Sequence, residues 1–214
     1  MLTSKRALGN SSINLDAVQH RRKVALRLIV LLVIGVLPFV QSTWSVGRSI
    51  HQGTEILSLI LIGITVLGRV WCTLYIGGRK AEELVDTGPY SISRNPLYMF
   101  SFVGALGVGA QTGSMVAGPL FALITFFIFL PVIQSEEKAL SAIFGEAFEA
   151  YKRRVPRFGP KIAGWRDMET ILVRPLLLWR TLRDGLVFFL IIPVFELIDW
   201  LQTLGVLTPL LKLP

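Results

Sequence analysis

Long apolar runs separated by short polar stretches organise the chain from residue 24 onward. Spanning the hydrocarbon core of a bilayer takes about 20 apolar residues at 1.5 Å rise each. Val24 to Val40 is the first run, closed by Pro38 and the interfacial Trp44. Ile56 to Ile76 is the second and ends at Gly77-Gly78-Arg79-Lys80. Leu97 to Ala110 is a shorter third run, about 21 Å long as a helix. Gln111-Thr112-Gly113-Ser114 then turns tightly into Met115 to Ile133. So short a connection makes the last two runs antiparallel neighbours in a helical hairpin. Leu186 to Leu207 is apolar too, but it carries Pro193, Glu196 and Asp199, so spanning, re-entrant and interfacial placements all stay open. Just before it, Ile171-Leu172-Val173 and Leu176-Leu177-Leu178-Trp179 are punctuated by Arg174, Arg180 and Arg183, a pattern that suits an interfacial amphipathic helix. The pattern therefore predicts an all-α integral membrane fold with four core transmembrane helices over residues 24–160, the hairpin among them. A polar arm, residues 1–23, precedes this core, and a C-terminal amphipathic and hydrophobic extension, residues 161–214, follows it.

Composition agrees. Of 214 residues, 52% are hydrophobic and 17% charged, and the mean hydropathy is +0.60, which places the chain in the membrane class. The net charge of +8 does not indicate nucleic acid, because no Lys/Arg patch interleaved with aromatics lies on a polar segment. Orientation and anionic headgroups account for it instead. Lys5, Arg6, Arg21, Arg22 and Lys23 precede the first run, Arg79, Lys80 and Arg94 follow the second, and the remaining basic cluster runs from Lys138 to Arg183. The intervening outer stretches hold only Arg48. The positive-inside rule then puts the N-terminus, the 77–96 loop and the 134–185 segment in the cytoplasm, all on one side. The basic start and the length of the first run fit a retained helix better than a cleaved signal. Cys72 is the only cysteine, so no disulfide within the chain and no Cys-based metal site can form.

Three clusters carry candidate chemistry on that side. The first is Gly88-Pro89-Tyr90-Ser91-Ile92-Ser93-Arg94-Asn95-Pro96-Leu97-Tyr98. Gly-Pro sets a turn, and Asn-Pro lets a helix start beside Arg94, gathering positive potential suited to a carboxylate or phosphate. An ordinary cytoplasmic loop with a topogenic arginine fits the same residues equally well. The second cluster is Glu136-Glu137, where the fourth run leaves the bilayer. Tandem carboxylates accept hydrogen bonds from an ammonium group and a pair of ribose hydroxyls, although surface acids that solubilise a helix are the commoner explanation. The third runs from Phe144 to Arg157. Leu140, Phe144, Phe148 and Tyr151 recur at helical spacing. Arg154 and Arg157, around Pro156, can clamp a carboxylate or hold phospholipid headgroups.

In this order, Gly-Pro-Tyr, Arg-Asn-Pro-x-Tyr, a hairpin, Glu-Glu-x-x-Leu, Phe-Gly and Tyr-x-x-Arg-Val-Pro-Arg, the clusters resemble the isoprenylcysteine carboxyl methyltransferase family, which belongs with the phospholipid N-methyltransferases. The resemblance covers residues 66 to 160, opening at Leu67-Gly68-Arg69-Val70-Trp71. It implies an S-adenosylmethionine site closed by the cytoplasmic helix ends. Tyr90, Arg94, Asn95, Pro96 and Tyr98 would line that pocket, Glu136 and Glu137 would hold the cofactor's polar groups, and Arg154, with Glu137, would serve the reaction. The acceptor would be a membrane lipid or lipidated substrate. Two positions depart from the family: Asn95 stands where it commonly has His, and Phe100 where it commonly has Gly. Asn donates and accepts hydrogen bonds but does not titrate near neutral pH, so a base at that position is missing.

Other readings compete. Gly107-Val108-Gly109-Ala110-Gln111-Thr112-Gly113 follows no strand, so Gly104, Gly107 and Gly109 read as contacts for close helix packing rather than a phosphate loop. His20 and His51 fall on opposite sides of the membrane in this topology, which excludes a shared metal site or a Ser–His–Asp arrangement. A nicotinamide-dependent membrane reductase and a non-catalytic subunit that binds lipid or a partner remain as alternatives, and the oligomeric state stays open.

Overall fold

Apolar segments enter lipid only with their backbone groups paired internally, and helices do this without any partner segment. A computed structural model of the chain describes residues 20, 21, 23–25, 27–29, 31, 35–43, 49–79 and 83–213. The described residues between 20 and 36 are helical. The expected first span, Val24 to Val40, falls partly outside the described residues, as do the arm through residue 19, Arg22, Trp44, Arg48, Lys80 and Glu82. The helices that follow are α1 (Ser49–Ile76), the short α2 (Pro89–Ile92), α3 (Pro96–Ala110), α4 (Ala117–Phe144), α5 (Glu146–Arg154), α6 (Pro175–Leu186) and α7 (Ile191–Thr203). Two of these, over Gln52–Ile76 and Ala117–Phe144, are long and apolar enough to cross a membrane. Strand β1 (Val40–Ser42) pairs in parallel with β2 (Leu211–Leu213).

Hydropathy marked membrane boundaries, and the helices overrun them. α1 begins seven residues before its apolar run, and α4 continues past Ile133 through Glu136, Glu137 and Lys138 to Phe144. Charged residues are good helix formers, so they do not end a helix. Gly145 does, at φ 52° and ψ −124°. Both candidate carboxylates consequently sit on a rigid helix interior rather than at a fraying end.

Small residues set the packing of α3, as expected. A β-carbon at Gly104 would press on Thr65, one at Gly107 on Leu61 and Ile62, and one at Gly109 would lie 2.5 Å from the Ala117 carbonyl oxygen. α1 and α4 thus approach α3 along its glycines. Further along α4, Phe129, Val132 and Ile133 pack with Ala25 of the N-terminal helical residues and with Tyr98 of α3.

The C-terminal extension packs along the helical body. Arg174 lies against Gly78, Thr181 Oγ1 is 3.1 Å from Thr73 Oγ1, and Gly185 rests on Val66. α6 therefore follows α1 inward instead of lying across its end. Phe188 and Phe195 then pack on Val108 and Phe121, and Gln202 Nε2 donates to the Pro38 carbonyl at 2.9 Å. Residues 175–203 run the whole depth of the helical body, about 43 Å at helical rise. The amphipathic pattern of α6 arises because Thr181 and Gly185 face α1.

Candidate functional site

At the end of the body where α1 stops, the chain makes a turn that only certain residues allow. Gly88 holds φ 57° and ψ −134°, a region that side chains other than glycine's resist. Its Cα faces the Tyr75 ring with no room for a β-carbon. Pro89 opens α2, and Pro96 opens α3 at a first-turn position where its missing N–H costs nothing. Residues before proline avoid the helical region, so Asn95 stays outside the helix at φ −127°. Its amide is then available to the pocket.

That amide reaches across to α4. Asn95 Nδ2 donates to Glu137 Oε1 at 3.0 Å. Arg157 donates through Nε (2.9 Å) and Nη2 (2.7 Å) to Glu137 Oε2, and Arg94 Nε stands 3.6 Å from Oε1. Glu137 is 6% exposed, so a buried carboxylate is held between two guanidiniums and an amide. Charge-assisted contacts of this kind fix geometry well in a low-dielectric setting.

The chain after α5 straps these parts together. Arg94 N donates to Pro156 O (2.9 Å), Lys161 N to Ile92 O (2.9 Å), and Gly88 N to Arg166 O (2.7 Å). Trp165 stacks on Trp71 with centroids 5.8 Å apart. Tyr151 Oη donates to Tyr90 O at 2.7 Å. Burial, reinforced by the Asp86 carboxylate and opposed by Arg94 and Arg154, pushes the Tyr151 phenol up from its ordinary value. The phenol thus stays a donor across the physiological range. At the rim, Asp86 bridges Arg154 and Arg166.

These elements enclose a cavity of about 110 Å³. Glu83, Arg94, Asn95, Glu136 and Glu137 give it polar walls, and Ile76, Leu84, Val85, Leu97, Leu140 and Phe148 give it apolar ones. Tyr90, Tyr98 and Tyr151 complete the lining. The donor set suits a ligand with an ammonium or hydroxyl end, an acidic end and an apolar middle. Among the described residues no group of three His, Cys, Asp or Glu is placed to hold a metal ion.

Of the residues singled out from sequence, Tyr90, Arg94, Asn95, Tyr98, Glu136 and Glu137 line one cavity. Pro96 supports it from the first turn of α3. Arg154 lies at the rim, 43% exposed and paired with Asp86, rather than on Glu137. Asp86 and Glu83 carried no motif. The Arg157 clamp was legible as an anion site, but its anion is the chain's own Glu137.

Comparison with known proteins gives these residues a context. The phospholipid methyltransferase family model matches residues 29–147, more than half of the chain. The chain is 38% identical to the nickel-cobalt-cadmium resistance protein NccN of Alcaligenes xylosoxydans xylosoxydans, over 81% of each chain. It is 34% identical to the cobalt-zinc-cadmium resistance protein CzcN of Cupriavidus metallidurans, over 93% of this chain and 92% of that one. A shorter match, 37% identical over 39% of this chain and 35% of the relative, is to the protein-S-isoprenylcysteine O-methyltransferase of Schizosaccharomyces pombe. No solved structure matches.

Proposed function

This chain belongs to the phospholipid methyltransferase family, and on that premise we propose that it transfers a methyl group from S-adenosylmethionine to a membrane-associated or hydrophobic acceptor. The observation that carries this reading is the buried Glu137, held by Asn95, Arg94 and Arg157 against an apolar wall in one cavity. The acceptor is an isoprenylcysteine-like carboxylate or a lipid amine. The family and the two long apolar helices support membrane association. In our topology the N-terminus and the site face the cytoplasm, α3 and α4 form the hairpin, and four core helices span, with residues 175–203 making a further crossing.

The donor set fits the cofactor. Glu136 and Glu137 would accept hydrogen bonds from its amine and hydroxyls, Arg94 would face its carboxylate, and Leu97, Leu140 and Phe148 would cover its less polar parts. When bound, S-adenosylmethionine supplies a methyl group on a positively charged sulfur. The protein's part is alignment and exclusion of water, which suffice without a base when the acceptor is a carboxylate; a lipid amine would first lose its proton, to Glu136 or Glu137 in the cavity. Asn95 holds the Glu137 carboxylate in place and titrates nothing. Arg154, half-exposed at the rim beside Asp86, is positioned to orient an acceptor carboxylate arriving from the headgroup layer.

Membranes containing the protein, given S-adenosylmethionine labelled in its methyl group, should accumulate label in the organic-soluble or membrane-protein fraction. We expect at least ~10-fold more than in membranes lacking it, since chemistry by alignment alone provides far larger factors. Consumption of NADPH without label transfer would instead support the reductase.

A further inference from the structure

In the topology proposed above, the outward face of α6 carries charge at a depth where lipid offers none in return. Gly185 rests on Val66, next to Thr65, which faces Gly104 in the middle of α3. Val66 lies ten residues, about 15 Å at helical rise, from the site-end terminus of α1 at Ile76. Arg183 and Asp184 immediately precede Gly185, and their side chains are 77% and 65% exposed. Arg180, beside the Thr73–Thr181 contact, sits near enough to the end of α1 to reach headgroups along its own stem. Asp184 has no such stem. Its one ionic neighbour among the described residues is Arg183, 3.5 Å away at the adjacent position, and adjacent helix positions do not face each other well. Ionisable residues at such depth pair with a partner or face a polar cavity. This face is otherwise apolar, with Trp179 67% and Val187 58% exposed.

We propose that the outward face of α6 is an interface between two copies of this chain, with Arg183 of each copy paired to Asp184 of the other. This goes beyond the methyl-transfer reading and rests only on the membrane-spanning part of it. One cation and one anion side by side make the face complementary to itself under a two-fold rotation, the relation an isologous contact requires. A face shaped for an unlike partner would have no need of that balance. Trp179 and Val187, one turn to either side, supply the dry flank that strengthens the paired charges.

Cysteine cross-linking of the full-length chain in its native membrane tests this. The wild-type chain is the blank, because its single cysteine, Cys72, is buried. Val187→Cys should give a disulfide-linked dimer under mild oxidation. Leu123→Cys, on the exposed face of α4, should not. Adding Arg183→Asp or Asp184→Arg to Val187→Cys should lower the yield by about fivefold through like-charge opposition. Combining both exchanges should restore it. The double exchange keeps the composition, so it separates a lost interface from a failure to insert. No cross-link at position 187, or one indifferent to all three charge variants, overturns the proposal. Labelling of Asp184→Cys by a membrane-impermeant maleimide overturns it by a different route, placing α6 at the membrane surface, and leaves methyl transfer to be judged on its own assay.

Discussion

Replacing Glu137 with Gln is expected to reduce methyl transfer by at least ~100-fold, the scale on which loss of a preorganised electrostatic partner acts. The substitution keeps the side-chain shape and removes the charge. Arg94, 11% exposed, and Arg157, 39% exposed, would then face each other across a neutral amide. Removing one member of a fully buried ion pair costs about 3–5 kcal/mol. Water reaches Arg157, so the lower end, about 3 kcal/mol, is expected here. The single amide oxygen of Gln could serve either Asn95 or Arg157, leaving its NH2 against the other donor, and the turn between α2 and α3 would loosen. Turnover together with thermal unfolding in detergent checks both effects. Wild-type turnover in a stable Glu137→Gln protein would contradict the site.

Gly88→Ala is expected to be strongly destabilising and to abolish activity. The backbone there, φ 57° and ψ −134°, costs a side-chain-bearing residue about 1–3 kcal/mol. The added carbon would also overlap the Tyr75 ring, and relieving such a clash costs about 1–3 kcal/mol more. Either way of relaxing it moves a turn that holds Gly88 N on Arg166 O and leads to Arg94 and Asn95. Gly145→Ala provides the comparison. Gly145 has similar torsions, φ 52° and ψ −124°, but open space around it. It should show the backbone cost alone. Unfolding midpoints of the two variants measured side by side, with Gly88→Ala clearly lower and inactive, are the predicted result.

Much of this was legible in the sequence where local chemistry decides. Asn95-Pro96 fixed the start of α3 to within a residue, and the glycines of α3 marked its close contacts with α1 and α4. The burial of Glu137 in preference to Glu136 was not legible from spacing, because Glu136 follows buried Val132 by four residues just as Glu137 follows buried Ile133, and both lie within a turn of Leu140. Helix ends beyond the membrane were not legible, because Glu136-Glu137-Lys138 stops a hydropathy run without stopping a helix. Nor were the pairings Asp86–Arg154 and Glu137–Arg157, which join separate elements and depend on how the strap after α5 folds back. That α6 packs along α1 was not legible, because an amphipathic helix against α1 and one against headgroups share the same period.

Titration calorimetry on the detergent-purified protein decides whether the cavity around Glu137 is an S-adenosylmethionine site. Saturable heat is expected with S-adenosylmethionine, none with NADPH, and no signal in a folded Glu137→Ala variant. A well-folded wild-type protein that ignores S-adenosylmethionine, above all one that binds NADPH, would contradict that assignment.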